Sequence, residues 1–201
     1  MSPRGRSVRE IATRILYWGP RGSGKTETLR AIAARLDPEK CSPFLNPSDS
    51  SGHTLFMDLL TVEMGALDGV PLRLHLVTLP GGSRLNADRL IPLRGADGFV
   101  FVADSRPDKQ AENKEALDSL REHLSAIGQP DCPVVVQVNR RDAPGAVPTE
   151  RMAVELGLDP TGDQWFETIA SAGTGVIEAL TAVATSVIGA LSTSAEERSA
   201  T

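Results

Sequence analysis

Apolar positions along the chain follow two periods, and the elements they predict alternate regularly between strand and helix. Ile15-Leu16-Tyr17-Trp18 is an apolar, β-prone run, read as a strand over 14–18. Leu29, Ile32, Ala33 and Leu36 then fall on one helical face, which predicts a helix over 24–36. Two strands are predicted at 53–61 and 70–78, joined by Met64-Gly65-Ala66-Leu67-Asp68-Gly69. In the second, Leu72, Leu74 and Leu76 alternate with Arg73 and His75, the pattern of an antiparallel hairpin at a sheet edge. The runs GFVFVA (98–103) and PVVVQV (133–138) have the near-continuous apolar character of central parallel strands. A helix over 109–127 carries Ala116, Leu117, Leu120, Leu124 and Ile127 at core spacing. A short helix (149–156), a last strand (164–170) and a terminal helix (175–191) complete the order.

Two stretches carry no period. Residues 37–52 hold prolines and Ser48-Asp49-Ser50-Ser51, and long loops without structure in a compact domain are usually functional. Pro80-Gly81-Gly82-Ser83 breaks the chain, and an irregular or helical segment runs from there to Arg94. The expected organisation is a flexible N-terminus (1–10), a single domain (11–191) and a flexible C-terminal tail (192–201). Alternating strands and helices with right-handed crossovers give an α/β fold, a three-layer doubly wound sheet, mostly parallel, with one antiparallel edge hairpin. Ligands of such sheets bind at the carboxyl ends of the strands.

At that place lies Gly19-Pro20-Arg21-Gly22-Ser23-Gly24-Lys25-Thr26, which fits the phosphate-loop pattern G-x-x-x-x-G-K-[ST] in full. Glycines let the backbone turn so that successive N–H groups face phosphate oxygens, and the following helix presents its positive end to the same anion. Lys25 is expected to reach the β- and γ-phosphates and the Thr26 hydroxyl to ligate Mg²⁺. The loop residues Gly19, Arg21, Gly22, Ser23, Gly24, Lys25 and Thr26 are therefore the candidate phosphate site.

Composition changes this picture little. With 201 residues, 40% hydrophobic and 23% charged, the chain reads as one ordinary globular domain. A net charge of −5, with no basic stripe interleaved by aromatics, argues against nucleic acid. Cys41 and Cys132 are far apart with no metal-ligand spacing, so reduced thiols and a cytoplasmic location are expected. No apolar signal core precedes the first strand, and Glu178 interrupts the longest apolar stretch (176–191). Ser2 stands where myristoylation needs glycine, and no cysteine follows Cys132. The expectation is no direct membrane anchor, with any polar location arising through a protein partner.

Asn139-Arg140-Arg141-Asp142 follows the strand PVVVQV. An aspartate there can accept from N1–H and the exocyclic amine of guanine, whereas adenine offers it no such donors, and a site with a buried polar partner rejects the wrong ligand strongly. Asn139 could hold neighbouring backbone or the N7 of the base. A charged loop after a strand is the plain alternative, and the phosphate loop tips the choice to guanine.

With these motifs the chain resembles the small Ras-like GTPases, and within them the bacterial MglA-type cell-polarity GTPases, over about 9–191. The resemblance rests on Tyr17-Trp18-Gly19-Pro20, Thr54-Leu55-Phe56-Met57-Asp58-Leu59-Leu60, Leu74-His75-Leu76-Val77-Thr78-Leu79-Pro80-Gly81, Gly98-Phe99-Val100-Phe101-Val102-Ala103-Asp104-Ser105, Gln137-Val138-Asn139-Arg140-Arg141-Asp142 and Gly173-Thr174-Gly175-Val176. It implies a Mg²⁺-dependent GTP/GDP switch. Thr54 is similar to the switch threonine that closes on Mg²⁺, Asp58 to a carboxylate near the metal where Thr78 supplies none, and Gly81 to the donor to the γ-phosphate. Ala170 is similar to the residue whose N–H meets O6 of the base, while Asn139, Arg140 and Asp142 are similar to the base-recognition motif. With Thr26, Thr54 and Asp58 as the metal set, the catalytic candidates are Lys25, Thr54 and Gly81. An MglB-like roadblock-domain regulator and protein effectors are implied, engaging 37–58 and 80–94.

Three positions depart from the pattern. Gly82 stands at the water-orienting glutamine, His53 at an intrinsic arginine finger, and Arg140 at the lysine of the base motif. An arginine finger is worth about 10³–10⁵ in kcat, so slow hydrolysis is expected. His53 reads more simply as a polar residue at a strand start, and Arg140 keeps the long stem and charge that guanine binding needs. Three readings stay open: a slow switch, a GTP-locked scaffold that binds partners without cycling, and a P-loop kinase or ATPase that leaves 139–142 unexplained.

Overall fold

The computed structural model describes residues 10–45, 57–67, 69–79 and 94–199, with side chains to 192. Strands β1 (Ile11–Trp18), β2 (Asp58–Leu67), β3 (Val70–Thr78), β4 (Gly98–Asp104), β5 (Val134–Asn139) and β6 (Gln164–Glu167) form one six-stranded sheet in the order β2-β3-β1-β4-β5-β6. All pairings are parallel except β2 with β3. The antiparallel pair therefore sits at the edge, as the alternation of Leu72, Leu74 and Leu76 predicts.

Helices α1 (Lys25–Arg35), α2 (Gln110–Ala126), α3 (Thr149–Glu155) and α4 (Val176–Ser199) cover the two faces. One core packs Leu29 and Ile32 of α1 and Val183 and Val187 of α4 against Ile15, Leu74, Val100 and Val135. The other packs Leu117, Leu120 and Leu124 of α2 and Met152 of α3 against Leu16, Phe99, Phe101 and Val136. Every residue of β4 is buried, because helices lie on both sides of it. The result is the three-layer α/β architecture expected of a Ras-like phosphate-loop domain.

Several boundaries differ from the sequence reading, among them the start of β1, at Ile11 and not 14. β2 runs through the predicted connection to Leu67, with a register shift between Glu63 and Ala66. Gly65 takes φ 89 there, so the glycine makes a bulge that keeps the strand paired. β6 ends at Glu167, before the predicted limit, and 168–175 forms a loop closed by an Ile169–Thr174 bridge. α4 continues past residue 191 to Ser199.

Residues 37–45 carry more structure than their composition suggests. Pro38–Lys40 is a short 3₁₀ turn whose start is capped by the Asp37 carboxylate, which accepts from Glu39 N at 3.0 Å. Residues 41–45 then run beside β2: Ser42 N donates to Thr61 O at 2.9 Å, and Leu45 and Leu59 exchange two backbone bonds of 3.0 Å. Arg30 of α1 stacks on Phe44 at 5.8 Å. Among the described residues no helix is long and apolar enough to cross a membrane.

Candidate functional site

The carboxyl ends of β1, β4 and β5 converge on the loop between β1 and α1. Trp18 closes β1, and its indole N–H donates to Ala116 O of α2 at 3.0 Å, fixing the strand end from which the loop springs. Lys25 opens α1 and is 7% exposed. Its Nζ donates to Gly19 O at 2.9 Å and Pro20 O at 2.8 Å, so the ammonium lies across the loop. The start of α1 is held from below as well. Thr28 Oγ1 donates to Gly24 O at 3.0 Å and accepts from Gln137 Nε2 at 2.8 Å. That buried link runs from β5 to the loop.

Asp58 and Thr78 face each other in the β2–β3 register. Asp58 is fully buried, and its Oδ2 accepts from Thr26 Oγ1 at 2.6 Å and from Thr78 Oγ1 at 2.7 Å. Thr78 Oγ1 in turn accepts from Asp58 N at 3.1 Å. The strand end with no acid of its own thus receives a carboxylate from the neighbouring strand. A hydroxyl and a carboxylate at this distance are the hard oxygen donors that Mg²⁺ takes. Among the described residues no cluster of three or more His, Cys, Asp or Glu could hold a metal alone. A cation at Thr26 and Asp58 would need ligand oxygens as well, which is how Mg²⁺ is commonly held in phosphate sites.

Asn139 is 2% exposed and ties three segments together. Its Nδ2 donates to Ser23 O at 2.7 Å, and its Oδ1 accepts from Ala170 N at 2.9 Å and Thr168 Oγ1 at 3.1 Å. Of the two roles open to it in the sequence, holding backbone is the one seen. The Ala170 N–H, expected on the base, is engaged by Asn139 here. Gly24 makes the approach possible, since a Cβ there would stand 2.2 Å from Asn139 Nδ2.

Arg140 has φ 62, the one positive φ at a non-glycine among the described residues. Its Nη2 and Nε donate to Gly22 O at 2.8 and 3.2 Å, and Nε lies 3.3 Å from Asp104 Oδ2. Asp104 is fully buried and also takes the Arg106 guanidinium, with Nη2 to Oδ2 at 2.8 Å. Hydrogen bonding to that carboxylate raises the pKa of Arg106. Asp142, by contrast, is exposed at the same rim and is bonded to no described residue.

The structure therefore brings together Gly19, Arg21, Gly22, Ser23, Gly24, Lys25, Thr26, Asp58, Asn139, Arg140, Asp142 and Ala170 at one end of the sheet. Thr54 and Gly81, with His53 and Gly82, lie outside the described residues, as do most of 37–58 and 80–94. Asp104, Gln137 and Thr168 were not singled out by the sequence, yet each positions the site. A signal existed for the first two, since each is a polar residue in an otherwise apolar strand.

Over 184 residues the chain is 37% identical to the mutual gliding-motility protein MglA of Myxococcus xanthus (strain DK1622), a match covering 90% of this chain and 93% of that protein. No protein-family model matches.

Proposed function

The chain belongs to the MglA-type small Ras-like GTPases, and from that premise we propose that it is a guanine-nucleotide switch, binding GTP and GDP with Mg²⁺ and hydrolysing GTP slowly. The observation that carries the reading is the Asn139 bridge. One amide joins Ser23 of the phosphate loop to Ala170 and Thr168, while the Asp142 carboxylate beside it is engaged by none of the described residues. That is the arrangement a guanine needs: a preformed wall for the ring and an acceptor for its N1–H and amine. Gly19 to Thr26 bind the phosphates. Thr26, Asp58 and Thr54 would hold Mg²⁺, which when bound neutralises charge on the β- and γ-oxygens. Lys25, Thr54 and Gly81 act on the γ-phosphate, and its loss releases contacts to 37–52 and 80–94.

Because the named relative is a gliding-motility protein, the switch is proposed to serve motility or polarity. It would act from the cytoplasm, with an MglB-like roadblock-domain regulator and effectors reading the two switch segments. Gly82 favours a second reading, a GTP-locked scaffold, since glycine has no side chain to orient water.

Competition of labelled GDP against GTP, GDP and ATP tests the first part. GTP and GDP are expected to compete and ATP to fail. In Asp142→Asn the site offers a donor where guanine offers donors, so guanine affinity is expected to fall at least tenfold. Xanthine, with a carbonyl at C2, should gain on it. Equal competition by ATP would reject the guanine reading. Multiple-turnover phosphate release, with or without a partner protein, decides between the cycling switch and the scaffold.

A further inference from the structure

We propose that Arg141 is a positioning residue for base selectivity: its guanidinium closes the loop that carries Asp142 and so fixes that carboxylate before guanine arrives. The inference rests on the guanine-nucleotide reading above and names the group that supports Asp142 from behind.

After Asp142 the chain reads Ala143-Pro144-Gly145-Ala146, four residues without a polar side chain. Gly145 takes φ 69. The bonds this stretch makes for itself are backbone bonds of short reach, Ala143 N to Arg140 O at 3.0 Å and Ala146 N to Ala143 O at 3.1 Å. Asp142 is no brace either. A carboxylate occupied by a partner inside the protein is lost to the N1–H and amine of guanine, and no described residue engages this one. The bracing falls to Arg141.

Arg141 is tied at three points. Its Nη1 donates to Val147 O at 2.5 Å, across the mouth of the loop. Its Nε lies 3.2 Å from Glu167 Oε1 at the end of β6, an ion pair. Its backbone N donates to Thr168 O at 3.3 Å. The side chain is 19% exposed, which shields these contacts from much of the screening that weakens surface pairs.

Each anchor is held in turn. Val147 N donates to Ser105 O at 2.8 Å, and Ser105 donates from N and Oγ to Asn139 O at 3.0 and 2.6 Å. Glu167 Oε1 also accepts from Thr149 Oγ1 at the start of α3. Glu167 directly precedes Thr168, which with Ala170 is held by the Asn139 amide. One side chain thus joins both loops assigned to the base, 140–142 and 168–170, to a single frame. A polar group fixed before the ligand arrives contributes its bond in full, whereas ordering it on binding costs part of the gain.

Inosine diphosphate has the N1–H of guanine and lacks the exocyclic amine, so Asp142 can accept one bond from it and two from GDP. The ratio of the two affinities reads the placement of the carboxylate, while a general loosening of the fold lowers both together. Wild type is compared with Arg141→Met, which keeps the stem and removes the donors, and with Arg141→Lys. Urea denaturation of the nucleotide-free proteins measures folding separately. Wild type is expected to favour GDP about tenfold or more, the worth of one hydrogen bond to a charged acceptor. Arg141→Met is expected to bring the ratio to about threefold or less, with GDP affinity falling further than that for inosine diphosphate. Arg141→Lys should recover part of it, since the charge beside Glu167 stays and the fork is lost. In an Asp142→Ala background, adding Arg141→Met should change GDP affinity by no more than about twofold, because no carboxylate is left to place. Glu167→Gln removes the ion pair and should lower the ratio by less, and it carries the test if Arg141→Met does not fold.

An unchanged ratio in Arg141→Met would overturn the proposal, as would a loss of GDP affinity that is just as large in the Asp142→Ala background. Wild type that binds GDP and inosine diphosphate equally overturns this proposal alone. Wild type that binds no guanine nucleotide removes the underlying reading with it.

Discussion

Asn139 has an amide with two ends, and each end holds a different loop. Truncating it to alanine leaves Ser23 O, Ala170 N and Thr168 Oγ1 without their shared partner in a buried place. A buried polar group without a partner costs about 1–3 kcal/mol. Asn139→Ala is therefore expected to lose stability of that order in urea denaturation of the nucleotide-free protein, and to bind GDP at least a hundredfold more weakly. Stability equal to wild type would show that water replaces the amide. Other single residues were harder to foresee. Asp142 and Lys25 stand in patterns whose chemistry is local, so the sequence displays them. Asp104 ends an all-apolar strand, and its partners come from Arg106 and from Arg140, on a separate loop. Only the fold brings those arginines to one carboxylate. Gln137 is similar: its acceptor, Thr28, is 109 positions away.

Elements show the same division between local and distant causes. Alternation in β3 and the apolar runs of β4 and β5 are properties of each strand alone, and they were legible. The extent of β2 was not, because Gly65 reads as a turn until β3 is there to pair across the bulge. The start of β1 at Ile11 depends likewise on its partner, since Ile11 to Thr13 pair with Leu72 to Leu74. Packing between elements yields a sharper expectation at Gly98, where α4 crosses β4. A Cβ there would lie 2.5 Å from Val187 Cγ2 and 3.2 Å from Val183 Cγ2. Overpacking of this kind costs about 1–3 kcal/mol. Gly98→Ala should fall in that range in thermal or urea denaturation. Combined with Val187→Ala, which removes the clashing methyl, the double variant should be more stable than the sum of the two losses. Strict additivity would mean that α4 shifts as a body instead.

At the scale of the whole molecule, loops from β1, β5 and β6 meet at one end of the sheet, and one ligand can bridge all of them. Binding that spans several elements should stabilise the fold as a unit. Adding GDP and Mg²⁺ at a hundred times the dissociation constant contributes about 2.7 kcal/mol. For a domain of this size that is roughly 5–10 °C in melting temperature, at about 2–4 °C per kcal/mol. Differential scanning calorimetry with GDP should show that rise, and ATP at the same concentration should show none. The opposite side of the sheet raises a different matter, solubility. β2 is an outer strand, and an outer strand with bare backbone groups is a template on which another copy can add. Residues 41–45 occupy that template from Leu59 to Val62, and the bulge after Glu63 bends what remains out of register. The strap is held by the Phe44 ring against Arg30 and the core. Loosening Phe44 would therefore first appear as stickiness between molecules, with the six strands themselves still folded.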